Sequence, residues 1–190
     1  MNEKLRRRTV IIVFAAIVAV LQCVATFINF GAFPITLTLI PIIVAGAVFG
    51  PFIGMIMGLV FGIVVAIMVV TGADPSGATM LAARPVVTIS VCILKGALAG
   101  LLSACTYHLL KKKNETAAIV LASAVAPIVN TGTLFLCLII FFGSSFTVML
   151  AALTSLNFIV ELITNVLLAP GLLVAIHNAE KKQLILNKIC

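Results

Sequence analysis

The sequence predicts an all-α membrane protein: one integral domain over residues 1–190, with six transmembrane helices and both the N- and C-termini cytoplasmic. Three observations predict it. Of the 190 residues, 63% are hydrophobic and only 9% are charged, whereas a soluble domain is nearer half apolar and a quarter charged. The apolar residues form long continuous runs, most of them near or above the roughly 20 residues that cross a bilayer as a helix. The basic residues fall in short clusters beside those runs, the pattern that the positive-inside rule assigns to cytoplasmic segments. This composition excludes a water-soluble globule and a disordered chain. Continuous rather than alternating apolar runs exclude a β-barrel. Six crossings leave no room for a separate soluble catalytic domain.

The first span covers residues 9–28, behind Lys4, Arg6, Arg7 and Arg8. It is too long for a signal core and lacks a clear small-residue cleavage site, so it reads as a retained helix. The stretch from Asn29 to Pro34 is punctuated by Gly31 and Pro34 and forms an outer loop. The second run, residues 35–49, is short and contains Pro41, so a kinked or partial helix is expected. Gly50-Pro51 turns the chain into the third span, residues 52–70. There Gly54, Gly58 and Gly62 recur every fourth residue on one face, where a neighbouring backbone can approach closely.

A polar outer loop around Asp74 follows, and Asp74 reads as a turn residue. The fourth span, residues 79–110, is long enough to cross with a tilt or an irregular start. Lys111, Lys112 and Lys113 return the chain to the inner side. The fifth span covers residues 116–142, Gly143 to Ser145 turn outside, and the sixth span covers residues 146–176. A polar tail with Lys181, Lys182 and Lys188 closes the chain inside. All three basic clusters thus fall on one side. They flank hydrophobic runs rather than forming a basic stripe on a water-facing surface, so nucleic acid is not a partner; the lipid bilayer is.

Charged and amide side chains at membrane depth are costly, and they face a cavity or a partner. Arg84 lies about one turn inside the outer end of the fourth span and acts as an interfacial anchor or as a fork for a carboxylate. Lys95 lies roughly 16 Å deeper, and an ion pair with Glu161 of the sixth span is expected. Asn157, Glu161 and Asn165 share one helix face through i, i+4, i+8 spacing, as interhelical glue or as a cavity wall. Asn130, Thr131 and Gly132 follow Pro127, and an interruption of the fifth helix is expected there.

Cys23, Cys92, Cys105, Cys137 and Cys190 form no CxxC pair and no Cys/His cluster, so neither a metal site nor a disulfide framework is expected. No GxSxG, HExxH or GxxxxGK[ST] motif occurs. The expected chain is not an enzyme, has no catalytic residues and holds no cofactor. Energy for uphill transport would come from an ion gradient or from partner subunits.

The block from Phe33-Pro34 through Leu39-Ile40-Pro41, Gly46, Phe49-Gly50-Pro51, Gly54 and Gly58 to Gly62 resembles the substrate-binding S component of energy-coupling factor (ECF) vitamin transporters. The resemblance extends over nearly the whole chain through its six spans and basic N-terminus. It implies an ABC-type importer subunit in a bacterial cell membrane that captures a vitamin or vitamin precursor outside. The partners it implies are a transmembrane coupling protein and two cytosolic ATPases, with delivery by toppling of the subunit in the bilayer. The small-xxx-small pair Ala15 and Ala19 on the first helix corresponds to the family's docking motif for the coupling protein. The family's pocket region corresponds to positions holding Asn29, Asp74, Arg84, Asn130, Thr131, Asn157 and Glu161.

Among substrates, the Thr38-Leu39-Ile40-Pro41 block and the Asn130-Thr131-Gly132 stretch look most like pantothenate-type members. Folate, pyridoxine-type, cobalamin and riboflavin substrates stay open. A stand-alone secondary carrier or small channel is the competing function, although no inverted repeat of the kind carriers often show is visible. A small membrane enzyme would need a catalytic constellation that the sequence does not display.

Overall fold

The computed structural model describes the backbone of residues 3–27 and 37–189, and the side chains of most of them. Among the described residues there are seven α-helices and no strand: α1 (Glu3–Phe27), α2 (Leu39–Phe49), α3 (Pro51–Val70), α4 (Pro75–Ala83), α5 (Pro85–Leu110), α6 (Glu115–Phe141) and α7 (Ser144–Ile189). Five of them, α1, α3, α5, α6 and α7, are long and apolar enough to cross a bilayer. The expected six spans are therefore five long helices and one short helix.

That short helix, α2, has 11 residues, and Leu39 through Ala47 are all buried. At 1.5 Å per residue it is about 16 Å long, half a crossing, which is tolerable only because neighbouring helices enclose it. Of the expected kinked or partial helix, the partial one forms. Pro41 sits in the first turn of α2, where its missing N–H would have had no helical partner.

The fourth predicted span is two helices. Asp74 caps α4, its Oδ1 accepting from the N–H groups of Ser76 and Gly77, both at 3.1 Å. Pro75 and Pro85 stand at the first positions of α4 and α5, where proline is well suited. Arg84 links them in an extended conformation, φ −148° and ψ 85°. A residue preceding proline is pushed out of the helical region, so the break falls at Arg84.

The fifth predicted span is not interrupted. α6 runs unbroken through Pro127 and Asn130 to Phe141. Proline removes one helical hydrogen bond, and packing compensates in membrane helices. Here the Ser103 hydroxyl of α5 donates to the Ala122 carbonyl at 2.8 Å, one residue from the carbonyl that proline leaves without its donor. The sixth predicted span continues as helix through the basic tail to Ile189. Beyond Gly171 that tail contains no glycine or proline, and its lysines, leucines and glutamine are good helix formers.

The core is built by glycine-mediated approach of α3 to α5. A Cβ on Gly54 would lie 2.6 Å from the Gly100 carbonyl oxygen, and one on Gly62 equally close to the Cys92 carbonyl oxygen. Between them Gly58 meets Gly96. The α3 glycines thus pack within the bundle as their spacing implies, against a second pair, Gly96 and Gly100, on α5. Membrane helices gain little from apolar burial between them, so such close van der Waals contact carries their association. At the Gly50 end α2 joins the same seam, since a Cβ on Gly46 would meet the Ala104 Cβ at 2.7 Å.

The two ends of the bundle differ. At the end carrying Lys111–Lys113, the Tyr107 hydroxyl donates to Glu115 Oε1 at 2.9 Å, and His177 Nδ1 lies 3.4 Å from the same carboxylate oxygen. This ties α5, α6 and α7. His108 Nε2 lies 3.1 Å from the Gly46 carbonyl, and Lys111 stands 5.7 Å over the Tyr107 ring. Phe14 packs edge-on against Phe49, which brings the first half of α1 to this end. All three basic clusters therefore attach to one end of the bundle.

Candidate functional site

Helix register places the polar residues by depth. Tyr107 bonds Glu115, and Ser103 bonds the Ala122 carbonyl. The antiparallel α5–α6 pair therefore sets Lys95 at about the level of Asn130. The α6–α7 pair is joined at Gly143 and tied at the other end by Glu115 and His177. Both constraints set Asn130 opposite residues 155–162 of α7, the stretch that holds Asn157 and Glu161. Gly46 of α2 abuts Ala104, so Thr38, the residue that caps α2 eight positions earlier, is about 12 Å further from the basic end. That puts Thr38 near the same level. The Thr38 hydroxyl donates to Gln22 Oε1 at 3.1 Å, both residues buried. A polar belt of Gln22, Thr38, Lys95, Asn130, Asn157 and Glu161 thus crosses the bundle at mid-depth.

Within this belt, hydrogen bonding is incomplete. Asn130 is 8% exposed and Asn165, one turn below Glu161 on α7, is 0% exposed. The Oδ1 atoms of Asn130, Asn157 and Asn165 are buried without a hydrogen-bond partner. Buried polar atoms are paired in the great majority of cases, and each exception calls for an explanation such as a ligand or water. Nearer the basic end the pattern reverses. Ser103 and Ser123 are fully buried, and both hydroxyls bond backbone carbonyls, of Ala122 and Ile119.

The sequence-predicted site residues divide accordingly. Asn130, Asn157 and Glu161 come to one level, with half-buried Thr131 beside Asn130. Asp74 lies away from them and its carboxylate caps α4. Arg84 is exposed at the α4–α5 junction, eleven residues or roughly 16 Å above the Lys95 level. Asn29 lies outside the described residues. No ion pair joins Lys95 to Glu161 among the described residues; α5 and α7 each pack on α6 rather than extensively on one another. Ala15 is half-buried against the core, and Ala19 is half-buried one turn further on.

Gln22, Thr38 and Asn165 extend the candidate site. The signal for Gln22 was its place as the lone amide in the first apolar run, and for Thr38 its place between two leucines. Their mutual bond needs the fold of α2 against α1 and could not be read from spacing.

An apolar groove of about 320 Å³ opens between the far halves of α3 and α5, lined by Ile63, Ala66, Ile67, Val70, Ile89 and Ile93, with Thr71 at its edge. The Thr71 hydroxyl donates to the Met68 carbonyl, so its proton is already used within its own helix end. Four free thiols, Cys23, Cys92, Cys105 and Cys137, are dispersed over the helices, and no group of three metal-ligating side chains occurs among the described residues.

A family model described as the substrate-specific component of ECF transporters matches residues 6–174. No curated protein matches the chain at a significant level.

Proposed function

The chain belongs to the family of ECF transporter substrate-specific components, and from that premise we propose that it captures a vitamin or vitamin precursor, with pantothenate favoured, on the outer side of a bacterial cell membrane. Delivery would follow by toppling on a coupling protein whose two cytosolic ATPases supply the energy, the chain having no ATPase activity of its own. Members of this family are transport subunits rather than enzymes, and the chain is a multi-pass membrane protein with five long apolar helices.

The observation that carries the reading is the set of bare, buried amide oxygens of Asn130, Asn157 and Asn165 on the spanning helices. A purely structural membrane subunit has no reason to keep such groups unpaired, because each costs roughly 1–3 kcal/mol. Asn130, Thr131, Asn157 and Glu161 are proposed to line the pocket, with Asn29, Asp74 and Arg84 towards its mouth. The basic end would face the cytoplasm, as the positive-inside rule requires, and Ala15 and Ala19 would meet the coupling protein.

The test is mass spectrometry of any small molecule released from the purified, detergent-solubilised chain, followed by titration with that compound. One vitamin at near one-to-one occupancy is the expected result. An empty chain that binds no B vitamin but passes ions or solute alone in liposomes would overturn the reading in favour of a carrier or channel.

A further inference from the structure

Lys95 is the cation of the polar belt. Of the 12 lysines and arginines in the chain, all but Arg84 and Lys95 belong to the three basic clusters. Along α5, Lys95 stands 16 residues from Lys111 and 11 from Arg84, about 24 Å and 16 Å at 1.5 Å per residue. The four-carbon stem of lysine is far shorter than either distance, so the ammonium cannot snorkel to an end of the helix. Its side of α5 points into the protein. Thr88, Val91 and Ala99, at i−7, i−4 and i+4, are buried, and the stripe opens only at Leu102, two turns nearer the basic end. Lys95 itself is half-buried.

A charge at this depth pairs with an opposite one or faces a polar cavity. The chain has five acidic side chains, Glu3, Asp74, Glu115, Glu161 and Glu180. Glu3 and Glu180 stand beside basic clusters. Glu115 accepts from Tyr107 and lies against His177, and Asp74 caps α4. Glu161 shares the level of Lys95, but it stands on α7, across α6, and has an interaction of its own. Among the described residues no hydrogen bond or ion pair reaches the Lys95 ammonium. On α6, which packs on α5, the Asn130 amide at the same level is 8% exposed and makes no hydrogen bond among the described residues. Nothing fixes which end of that amide faces a ligand, so its NH2 group can turn to an acceptor. An ammonium and an amide donor are what a carboxylate needs, and the low dielectric at mid-depth strengthens that attraction.

We infer that Lys95 holds a carboxylate of the ligand at mid-depth, with the Asn130 amide as a further donor, so that the chain takes carboxylate-bearing compounds that enter acid end first. The inference rests on the substrate-capture reading and narrows it. Pantothenate and folate carry the required group, whereas riboflavin, pyridoxine and cobalamin carry no carboxylate.

The test is equilibrium binding of radiolabelled pantothenate, folate, riboflavin, pyridoxine and cobalamin to the purified full chain in nanodiscs. Pantothenate or folate is expected to bind. Binding of only a compound without a carboxylate would overturn the inference and leave the capture reading standing. The acid that binds is then compared with its analogue in which each carboxylate is a primary carboxamide, on wild type, Lys95→Met, Lys95→Gln and Lys95→Arg. Wild type should favour the acid by about ten- to a hundredfold, the worth of a hydrogen bond between charged groups. Lys95→Met and Lys95→Gln should remove that preference, and Lys95→Arg, which keeps the charge, should retain most of it. No preference in wild type would overturn the inference. So would a preference that survives both neutral variants, even where both ligand forms weaken equally, since Lys95 would then be structural. A preference lost in Arg84→Gln but kept in Lys95→Met would overturn it too, by seating the carboxylate at Arg84. Thermal unfolding reports whether each variant keeps its fold, and if neither neutral variant does, Lys95→Arg decides, a lost preference overturning the inference. A wild-type chain that binds none of the five compounds would sink the substrate-capture reading itself, and this inference with it.

Discussion

Gly58 of α3 and Gly96 of α5 meet backbone to backbone: a Cβ on either residue would collide with the carbonyl of the other. With Gly54 against Gly100 and Gly62 against Cys92, they hold the two helices in one antiparallel register over two turns. That register fixes the depth of Lys95 relative to α3 and so helps set the level of the polar belt. Packing made by small residues is thus what positions the site.

Gly58→Ala should lower stability by about 1–3 kcal/mol, the usual effect of adding a methyl to a closed contact. Gly171→Ala is the control, because a Cβ there meets nothing within 4 Å. Alanine is the better helix former, so that variant should be neutral or more stable by up to about 1 kcal/mol. Thermal unfolding in detergent checks both. An unchanged midpoint for Gly58→Ala would mean that α3 and α5 are not in this register.

The bond from the buried Tyr107 hydroxyl to Glu115 crosses from α5 to α6. A double-mutant cycle with Tyr107→Phe and Glu115→Ala should give a coupling of about 0.5–1.5 kcal/mol, the net worth of one hydrogen bond. The same cycle between Glu115 and His177 should give less than about 1 kcal/mol. Those side chains are 56% and 36% exposed, and exposed pairs contribute little. A larger coupling for the Glu115–His177 contact than for the Tyr107–Glu115 hydrogen bond would reverse this assignment of what holds the basic end together.

Asp74 has an identifiable structural task, capping α4 through the N–H groups of Ser76 and Gly77. Asp74→Ala should cost about 0.5–2 kcal/mol and Asp74→Ser much less, since serine is an equally good cap. Ligand affinity measured on Asp74→Ser separates the cap from the proposed role at the pocket mouth. If affinity falls while stability holds, the carboxylate meets the ligand.

Much of this fold was legible in the sequence because continuous apolar runs and basic clusters are strong signals. The α3 glycine stripe and the turns at Gly50 and Gly143 were readable for the same reason, as local patterns with a single cause. The boundaries at Arg84 and Leu39 were not. Pro85 and Pro41 both announce a disturbance, yet whether a proline starts, kinks or merely sits in a helix depends on where the helix begins. That is decided by tertiary enclosure, which turns α2 into a buried half-length helix. The expected Lys95–Glu161 pair failed for a related reason. Matching depths could be counted along each helix, but which helices are neighbours could not, and α6 packs on both α5 and α7. Asn157, Glu161 and Asn165 were legible as one face, whereas the bare oxygens appear only when every possible partner has been placed.

Ala15 and Ala19 are half-buried on α1, beside exposed Ile12, Ile17 and Val20. Small side chains next to an exposed apolar strip leave room for another helix to approach. Ala15→Trp with Ala19→Trp should therefore leave ligand binding by the isolated chain within a few-fold of wild type. On the proposed function it should abolish ATP-driven uptake when the chain is reconstituted with a coupling protein and ATPases. Ala15 also touches the core of its own bundle, so the Ala19→Trp single variant is the cleaner probe of docking, and Ala15→Trp alone should cost stability as an overpacked site does, about 1–3 kcal/mol. Measuring binding, uptake and unfolding on all three variants separates the two faces of α1. Uptake that survives in Ala19→Trp would remove α1 from the docking surface. Loss of binding in that variant would instead place Ala19 within the packing that shapes the polar belt, alongside Gln22 one turn further on.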